Sequence, residues 1–220
     1  MKEIKFYNLQ LKNKSFEKDF INDFKKINLR GRYIIGNYVE IFEKKFAKFC
    51  KAKYCIGVGN GFDALKLSFM AFKINKKLKD GDEVLVPANT YIASVLSIVA
   101  ANLKPVFVEP DQNTFNISVN QILKKITKKT KAILAVDLYG QPADLLKIKN
   151  IVKKKKLILI EDAAQAHGAK INNKPIGSIS DATCFSFFPG KNIGAFGDAG
   201  AITTNKYDVF KILKSLRNYG

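Results

Sequence analysis

Three short strings in this sequence carry groups whose chemistry is complementary. Gly57-Val58-Gly59-Asn60-Gly61-Phe62 follows a β-branched run and opens an apolar-periodic one, which predicts a strand turning into a helix. The first amides of such a helix have no acceptor within it and lie at the positive end of its dipole, so they favour a phosphate. Glycines allow close backbone approach. The string departs from the full dinucleotide fingerprint, and a purely structural strand-to-helix turn is its other reading. Leu157-Ile158-Leu159-Ile160 ends in Glu161 and Asp162. A carboxylate closing an apolar strand of an open α/β sheet faces the crevice where ligands bind; its competing use is as a helix N-cap. Phe185-Ser186-Phe187-Phe188-Pro189-Gly190-Lys191-Asn192 places a lysine just past a strand, among aromatics and permissive glycines that can desolvate an amine. This is not a Walker A loop, because Phe185 stands where the first glycine is required and Asn192 where Ser or Thr is.

A phosphate cradle, a strand-end carboxylate and a sequestered lysine are together what pyridoxal phosphate requires: an anchor for its phosphate, a partner for its ring nitrogen and an amine for its aldehyde. The rest of the composition agrees. With His167 the only histidine, acid–base work falls to lysine, carboxylate, tyrosine or a cofactor. Cys50, Cys55 and Cys184 have neither paired spacing nor histidine neighbours, which argues against a zinc site or a disulfide framework.

The elements that must position these groups follow from periodicity. Short β-branched runs alternate with longer amphipathic ones, the signature of an α/β fold with a mainly parallel sheet between helices. Strands are expected at Tyr54–Val58, Glu83–Val86, Pro105–Val108, Ala132–Val136, Leu157–Glu161, Ala182–Phe187 and Gly200–Thr203. The clearest helices are Val39–Cys50, with Ile41, Phe42, Phe46 and Phe49 at helical spacing, and Ala64–Ile74, with Leu65, Phe69 and Phe72 on one face. A further helix is expected from Lys206 to the end of the chain. At 220 residues and 47% hydrophobic, with no repeat and no Pro/Gly/Ser linker, one compact unit is expected.

The formal net charge of +19 would ordinarily point to nucleic acid. Here the cations are nearly all lysine, whereas nucleic-acid readers lean on arginine and interleaved aromatics, so a solvated surface is the preferred reading. The run Lys153-Lys154-Lys155-Lys156 ends an expected helix, where cations suit the dipole. No stretch approaches a membrane span of roughly 20 apolar residues and the first residues lack the apolar core of a signal peptide, so a cytoplasmic protein with no membrane partner is expected.

Five ordered blocks resemble the DegT/StrS family of nucleotide-sugar aminotransferases. They are Val58-Gly59-Asn60-Gly61-Phe62-Asp63-Ala64-Leu65, Pro87-Ala88-Asn89-Thr90-Tyr91-Ile92-Ala93-Ser94, Val136-Asp137-Leu138-Tyr139-Gly140-Gln141-Pro142-Ala143-Asp144, Glu161-Asp162-Ala163-Ala164-Gln165-Ala166-His167-Gly168 and Phe185 to Asn192. The resemblance implies a fold-type-I large domain of three layers, helices on both faces of a mixed, mainly parallel sheet. It implies that Lys191 holds pyridoxal 5′-phosphate covalently and then shuttles a proton between cofactor and sugar carbon. Asp162 would pair with the ring nitrogen, and Gln165 would position the ring and its phenolic oxygen. Ser186 and the amides of Gly61 and Phe62 would hold the phosphate, and Tyr91 would stack on the ring. Where many relatives have Thr, Phe62 keeps only the backbone contact.

The implied reaction is glutamate-dependent transamination of a nucleotide-linked 3- or 4-keto-6-deoxyhexose, with the Gly59-to-Leu65 block most like the dTDP-linked 3-keto branch. The resemblance also implies a homodimer, and a smaller C-terminal domain beyond the helix that ends in Arg217-Asn218-Tyr219-Gly220, so residues 1–220 are expected to be the large domain alone and a poor catalyst by themselves. Other readings stay open at this level. Tyr91 could be a helix-start core aromatic, Ser186 a strand hydroxyl satisfied by backbone, and His167 a packed core histidine, the preferred reading for it. The whole chain could be a basic binding module or an inactive pseudo-enzyme of the same fold. A sugar dehydratase of the family is disfavoured by Lys191, since those typically carry histidine there.

Overall fold

A computed structural model describes residues 4–219. Contacts divide the chain into a unit up to Phe42 and a unit from Glu43 onward. The first holds α1 (Leu9–Asn13), a 3-10 turn at Lys14–Phe16 and α2 (Glu17–Arg30). Gly31 ends α2 in the left-handed conformation, φ 62°, with its N–H returning to the carbonyls of Ile27 and Asn28. Helix α3 (Asn37–Phe49) starts in the first unit and finishes in the second, close to the expected Val39–Cys50.

The second unit is built on a seven-stranded sheet. Its strands are β1 (Tyr54–Val58), β2 (Glu83–Pro87), β3 (Lys104–Val108), β4 (Thr130–Val136), β5 (Ile158–Asp162), β8 (Ala182–Ser186) and β9 (Gly200–Thr204), ordered β1-β9-β8-β5-β4-β2-β3. The expected strands are all present, displaced by a residue or two at their ends. Only β9 runs against its neighbours: it is antiparallel to both β1 and β8, while β8, β5, β4, β2 and β3 pair in parallel. The carboxyl ends of β1, β2, β4, β5 and β8 therefore emerge on one edge of the sheet, where open α/β sheets bind ligands.

Helices cover both faces. On one, α4 (Gly61–Ile74), α5 (Ile92–Ala100) and α8 (Tyr207–Leu216) bury Phe69, Phe72, Ile98 and Leu213 against Ile56, Val84, Leu134, Ile160 and Ile202. Full burial of each such side chain contributes about 1.5–3 kcal/mol, which is why the spacing of Leu65, Phe69 and Phe72 marked α4 in the sequence. On the other face, α6 (Val119–Lys125) packs by β3 and α7 (Leu145–Lys155) by β4 and β5. Lys153, Lys154 and Lys155 fill the last turn of α7, as the dipole argument expects, and Lys156 closes it in the left-handed conformation.

One small element escaped the periodicity. Lys170–Ile171 (β6) and Lys174–Pro175 (β7) form a two-stranded hairpin. Its loop, Asn172 and Asn173, has φ of 48° and 62°, the two left-handed residues that a type I′ turn demands and that Asn tolerates best among residues with a side chain.

Candidate active site

The expected phosphate cradle falls where β1 turns into α4. Asn60, extended at φ −164°, caps the helix by accepting the N–H of Asp63 on its Oδ1 at 2.8 Å. The helix therefore starts three residues before the expected Ala64, and the amides of Gly61 and Phe62 become its first two, without acceptors inside it. Close approach of two other strand ends brings this helix start into the site. A Cβ on Gly61 would stand 2.7 Å from the Cβ of Ser186, and one on Gly200 would stand 2.3 Å from the carbonyl oxygen of Asn60. Bare glycine lets the helix start, the end of β8 and the start of β9 meet.

Asp162 is the last residue of β5 and only 7% exposed. Its Oδ2 accepts the Ser94 hydroxyl at 2.7 Å and its Oδ1 accepts the Ala164 N–H at 3.2 Å. Burial raises its pKa above the usual carboxylate value, opposed by the Ser94 hydroxyl, the Ala164 amide and the charge of Lys191. A buried carboxylate in that balance favours a cationic N–H partner. The N-cap reading of Asp162 does not hold, because residues Ala163 to Ala169 form turns rather than a helix.

Two further carboxyls, Glu161 and Asp137, are buried nearby. Glu161 accepts the hydroxyls of Ser180 at 2.8 Å and Thr183 at 2.7 Å, and Asp137 accepts the Ala143 N–H at 2.9 Å. Burial raises both pKa values, and for Asp137 the charge of Glu161 adds to it. The Asp137 N–H donates to the Asp162 carbonyl at 3.0 Å and ties the ends of β4 and β5 together.

Lys191 lies in the loop that leads from β8 to β9, half-buried. The loop folds on itself: the Ala195 N–H reaches the Phe187 carbonyl and the Phe187 N–H the Ala199 carbonyl, each at 2.8 Å. Gly194 is needed at the fold, since a Cβ there would come within 2.3 Å of the Pro189 carbonyl oxygen. Ser186 precedes the loop, and its Oγ accepts the Phe188 N–H at 3.3 Å.

Gln165 is held by an unusual backbone. Tyr139 adopts φ 57° and its N–H donates to Gln165 Oε1 at 2.6 Å. A left-handed tyrosine costs on the order of 1 kcal/mol or more. It fixes the amide of Gln165 with its carbonyl occupied and its NH2 as the remaining donor. His167 packs between the rings of Phe185 and Phe187, at 5.6 and 5.3 Å, as the core reading has it. Burial, with the Lys191 charge acting the same way, brings its pKa down to about 4 against the opposing Ser186 backbone and Asn192 amide.

These parts converge on one cavity of about 480 Å³, lined by Gly61, Phe62, Tyr91, Asp162, Gln165, Ser186 and Lys191. Every residue singled out from the sequence for cofactor contact is there. Tyr91 is 72% exposed, which removes its core-aromatic reading. Sequence reasoning assigned nothing to Thr90, Asp137 and Asp198, which also line the cavity, nor to Ser94 behind it. Only the strand-end place of Asp137, matching that of Asp162, could have signalled any of them. Among the described residues no cluster suited to a metal ion exists.

The chain belongs to the DegT/DnrJ/EryC1/StrS aminotransferase family, whose profile matches residues 14–220. It is 52% identical over 217 residues to a dTDP-3-amino-3,6-dideoxy-alpha-D-galactopyranose transaminase of Aneurinibacillus thermoaerophilus, covering 99% of this chain and 59% of that protein. The structure superposes on Streptomyces venezuelae DesV with a TM-score of 0.95 at 38% identity, covering 100% of this chain and 58% of that one. It likewise matches NtdA from Bacillus subtilis, solved with bound cofactor PMP, with a TM-score of 0.90 at 32% identity over 98% of this chain and 48% of that one. The chain thus spans about half the length of the relatives it matches. The fold is the three-layer, mixed and mainly parallel architecture of the pyridoxal-phosphate aminotransferases.

Proposed function

We propose that residues 1–220 are the cofactor-binding large domain of a pyridoxal-phosphate enzyme that moves an amino group from glutamate to a nucleotide-linked keto-6-deoxyhexose, dTDP-linked and 3-keto in the first instance. The convergence of Lys191, Asp162 and the Gly61 helix start on one cavity carries this reading. The residues fit the cofactor on structural grounds: the glycine at 61 leaves room beside Ser186 that a Cβ would fill, and Asp162 is a buried carboxyl suited to a cationic partner. When bound, pyridoxal phosphate supplies an aldehyde that takes up amines covalently and a ring that accepts the electron pair left when a carbon beside that amine loses its proton.

In this reading the chain's own groups bind, orient and move protons. The amides of Gly61 and Phe62 and the hydroxyl of Ser186 donate to the phosphate. Asp162 holds a proton on the ring nitrogen, and the Gln165 NH2 donates to the phenolic oxygen. Tyr91 covers a ring face. Lys191 Nζ would anchor the cofactor and, once freed, would carry the proton between the cofactor and the substrate carbon. The similarity to a dTDP-sugar transaminase supports the substrate class. A cytoplasmic homodimer with no nucleic-acid or membrane partner completes the reading; no helix of the described residues is long and apolar enough to cross a membrane.

Borohydride reduction after incubation with pyridoxal phosphate, followed by peptide mass analysis, tests the anchor. The pyridoxyl group is expected on Lys191, and its appearance on another lysine instead refutes the assignment.

A further inference from the structure

Asp162 does not stand alone in the cavity wall. The Ser94 side chain, fully buried on α5, donates to Asp162 Oδ2 at 2.7 Å, and Thr90 Oγ1 lies 2.8 Å from Ser94 Oγ. A hydroxyl has one proton to give. When Asp162 is ionised, the Ser94 proton is committed to the carboxylate, so the Thr90 proton must point at Ser94 Oγ. Both dipoles then align toward the negative charge, and each strengthens the other in a site screened from water. Ser94 is itself held in place by its helix. Its N–H donates to the Tyr91 carbonyl at 3.1 Å, and its own carbonyl accepts the Ser97 hydroxyl at 2.8 Å. Because Tyr91 and Thr90 line the cavity and Ser94 follows within one turn, α5 couples the wall that would face the ring to the carboxylate at its far end.

We propose that Ser94 is the positioning residue for Asp162: with its hydroxyl aligned by Thr90, it holds that carboxylate as an anion turned into the cavity. The inference rests on the pyridoxal-phosphate reading and deepens it. Ser94 acts through Asp162 and has no bond of its own to make with cofactor or substrate. The Ala164 amide remains as the second donor to Asp162, so removing the Ser94 hydroxyl weakens the anion without abolishing it.

The test uses this chain with pyridoxal phosphate as the probe, measuring equilibrium affinity by absorbance and ring protonation by the nitrogen resonance of ring-15N-labelled cofactor. Ser94→Ala is expected to weaken binding roughly tenfold, the loss of one charge-assisted hydrogen bond, and to move the ring-nitrogen resonance toward its unprotonated position. Ser94→Thr, which retains a hydroxyl, is expected to recover most of both. In an Asp162→Asn background Ser94→Ala is expected to cost little more, because its partner charge is gone. Unchanged affinity and resonance in Ser94→Ala overturn the proposal and leave the cofactor reading standing. So does an equal loss in the Asp162→Asn background, which a merely structural serine would produce. If Ser94→Ala does not fold, the near-isosteric weak donor of Ser94→Cys takes its place under the same expectations. Failure of the unsubstituted chain to bind pyridoxal phosphate overturns the cofactor reading and this inference with it.

Discussion

Gly61 and Ser186 stand so close that a single Cβ on Gly61 would meet the Ser186 Cβ at 2.7 Å. This packing brings the first amides of α4 to the end of β8. Two effects of Gly61→Ala compete. Alanine is the better helix former by about 1 kcal/mol, while the contact forces the helix start or Ser186 to shift. Stability is therefore expected to change little, and the loss to appear in phosphate recognition. Pyridoxal-phosphate affinity measured by absorbance titration is expected to fall roughly tenfold or more, consistent with weakened hydrogen bonds to a charged group. An alanine variant that binds as well as the parent removes the cradle assignment.

Asp162→Asn keeps the shape of the β5 end but removes its charge. One charge-assisted contact in a dry site is worth on the order of 2–4 kcal/mol, hence roughly a hundredfold or more in rate. The variant is expected to retain cofactor binding, more weakly, and to convert it with glutamate at least about a hundred times more slowly by stopped-flow absorbance. Conversion at the parent rate would mean that Asp162 serves only to hold the turn after β5.

His167 makes a pH prediction with a definite sign. Its pKa in the folded chain is about 4 against an ordinary unfolded value of about 6.5, so the unfolded state binds the extra proton first. Stability from this group is complete above pH ~6.5, declines as pH falls and is fully lost below ~4, a total on the order of 3 kcal/mol. Burial raises the pKa values of Asp137, Glu161 and Asp162, which contributes stability at low pH that fades as pH rises, the opposite slope. Denaturant unfolding of parent and His167→Asn between pH 4 and 7 separates the two. The difference between the chains is expected to shrink or reverse toward low pH, and a constant difference contradicts the buried neutral imidazole.

Cys50, Cys55 and Cys184 are all buried and free. Burial pushes the Cys50 thiol up to about 12 and raises those of Cys55 and Cys184 as well. Since the thiolate is the reactive form, a thiol reagent at pH 8 is expected to modify almost none of them in the folded chain and all three after denaturation. Rapid modification of the native chain would contradict this burial.

Much of the site was legible because chemistry and periodicity coincide in short strings. An apolar run such as Leu157 to Ile160 has no stable home except a buried strand, so the carboxylate that ends it must emerge at the sheet edge. The glycine-flanked start of α4 and Lys191 beyond β8 follow the same logic. Ser94 was not legible. A serine inside an amphipathic helix is usually a neutral spacer, and 68 residues separate it from Asp162. Nor does any local preference foretell a left-handed Tyr139, whose strain is sustained by the contact of its N–H with Gln165.

The sequence by itself determined the element types, the alternation that makes a layered α/β fold, and which side chains have the chemistry for a phosphate, a ring nitrogen and an aldehyde. Those properties are local, set by side-chain period, cap residues and the intrinsic reactivity of lysine and carboxylate. Only the tertiary structure decided that β9 runs against its neighbours, that Gly61 meets Ser186, and that Ser94 faces Asp162. Strand order and helix docking are settled by burial summed over the whole core. Contacts across long separations are consequences of that sum, and no neighbouring residue encodes them.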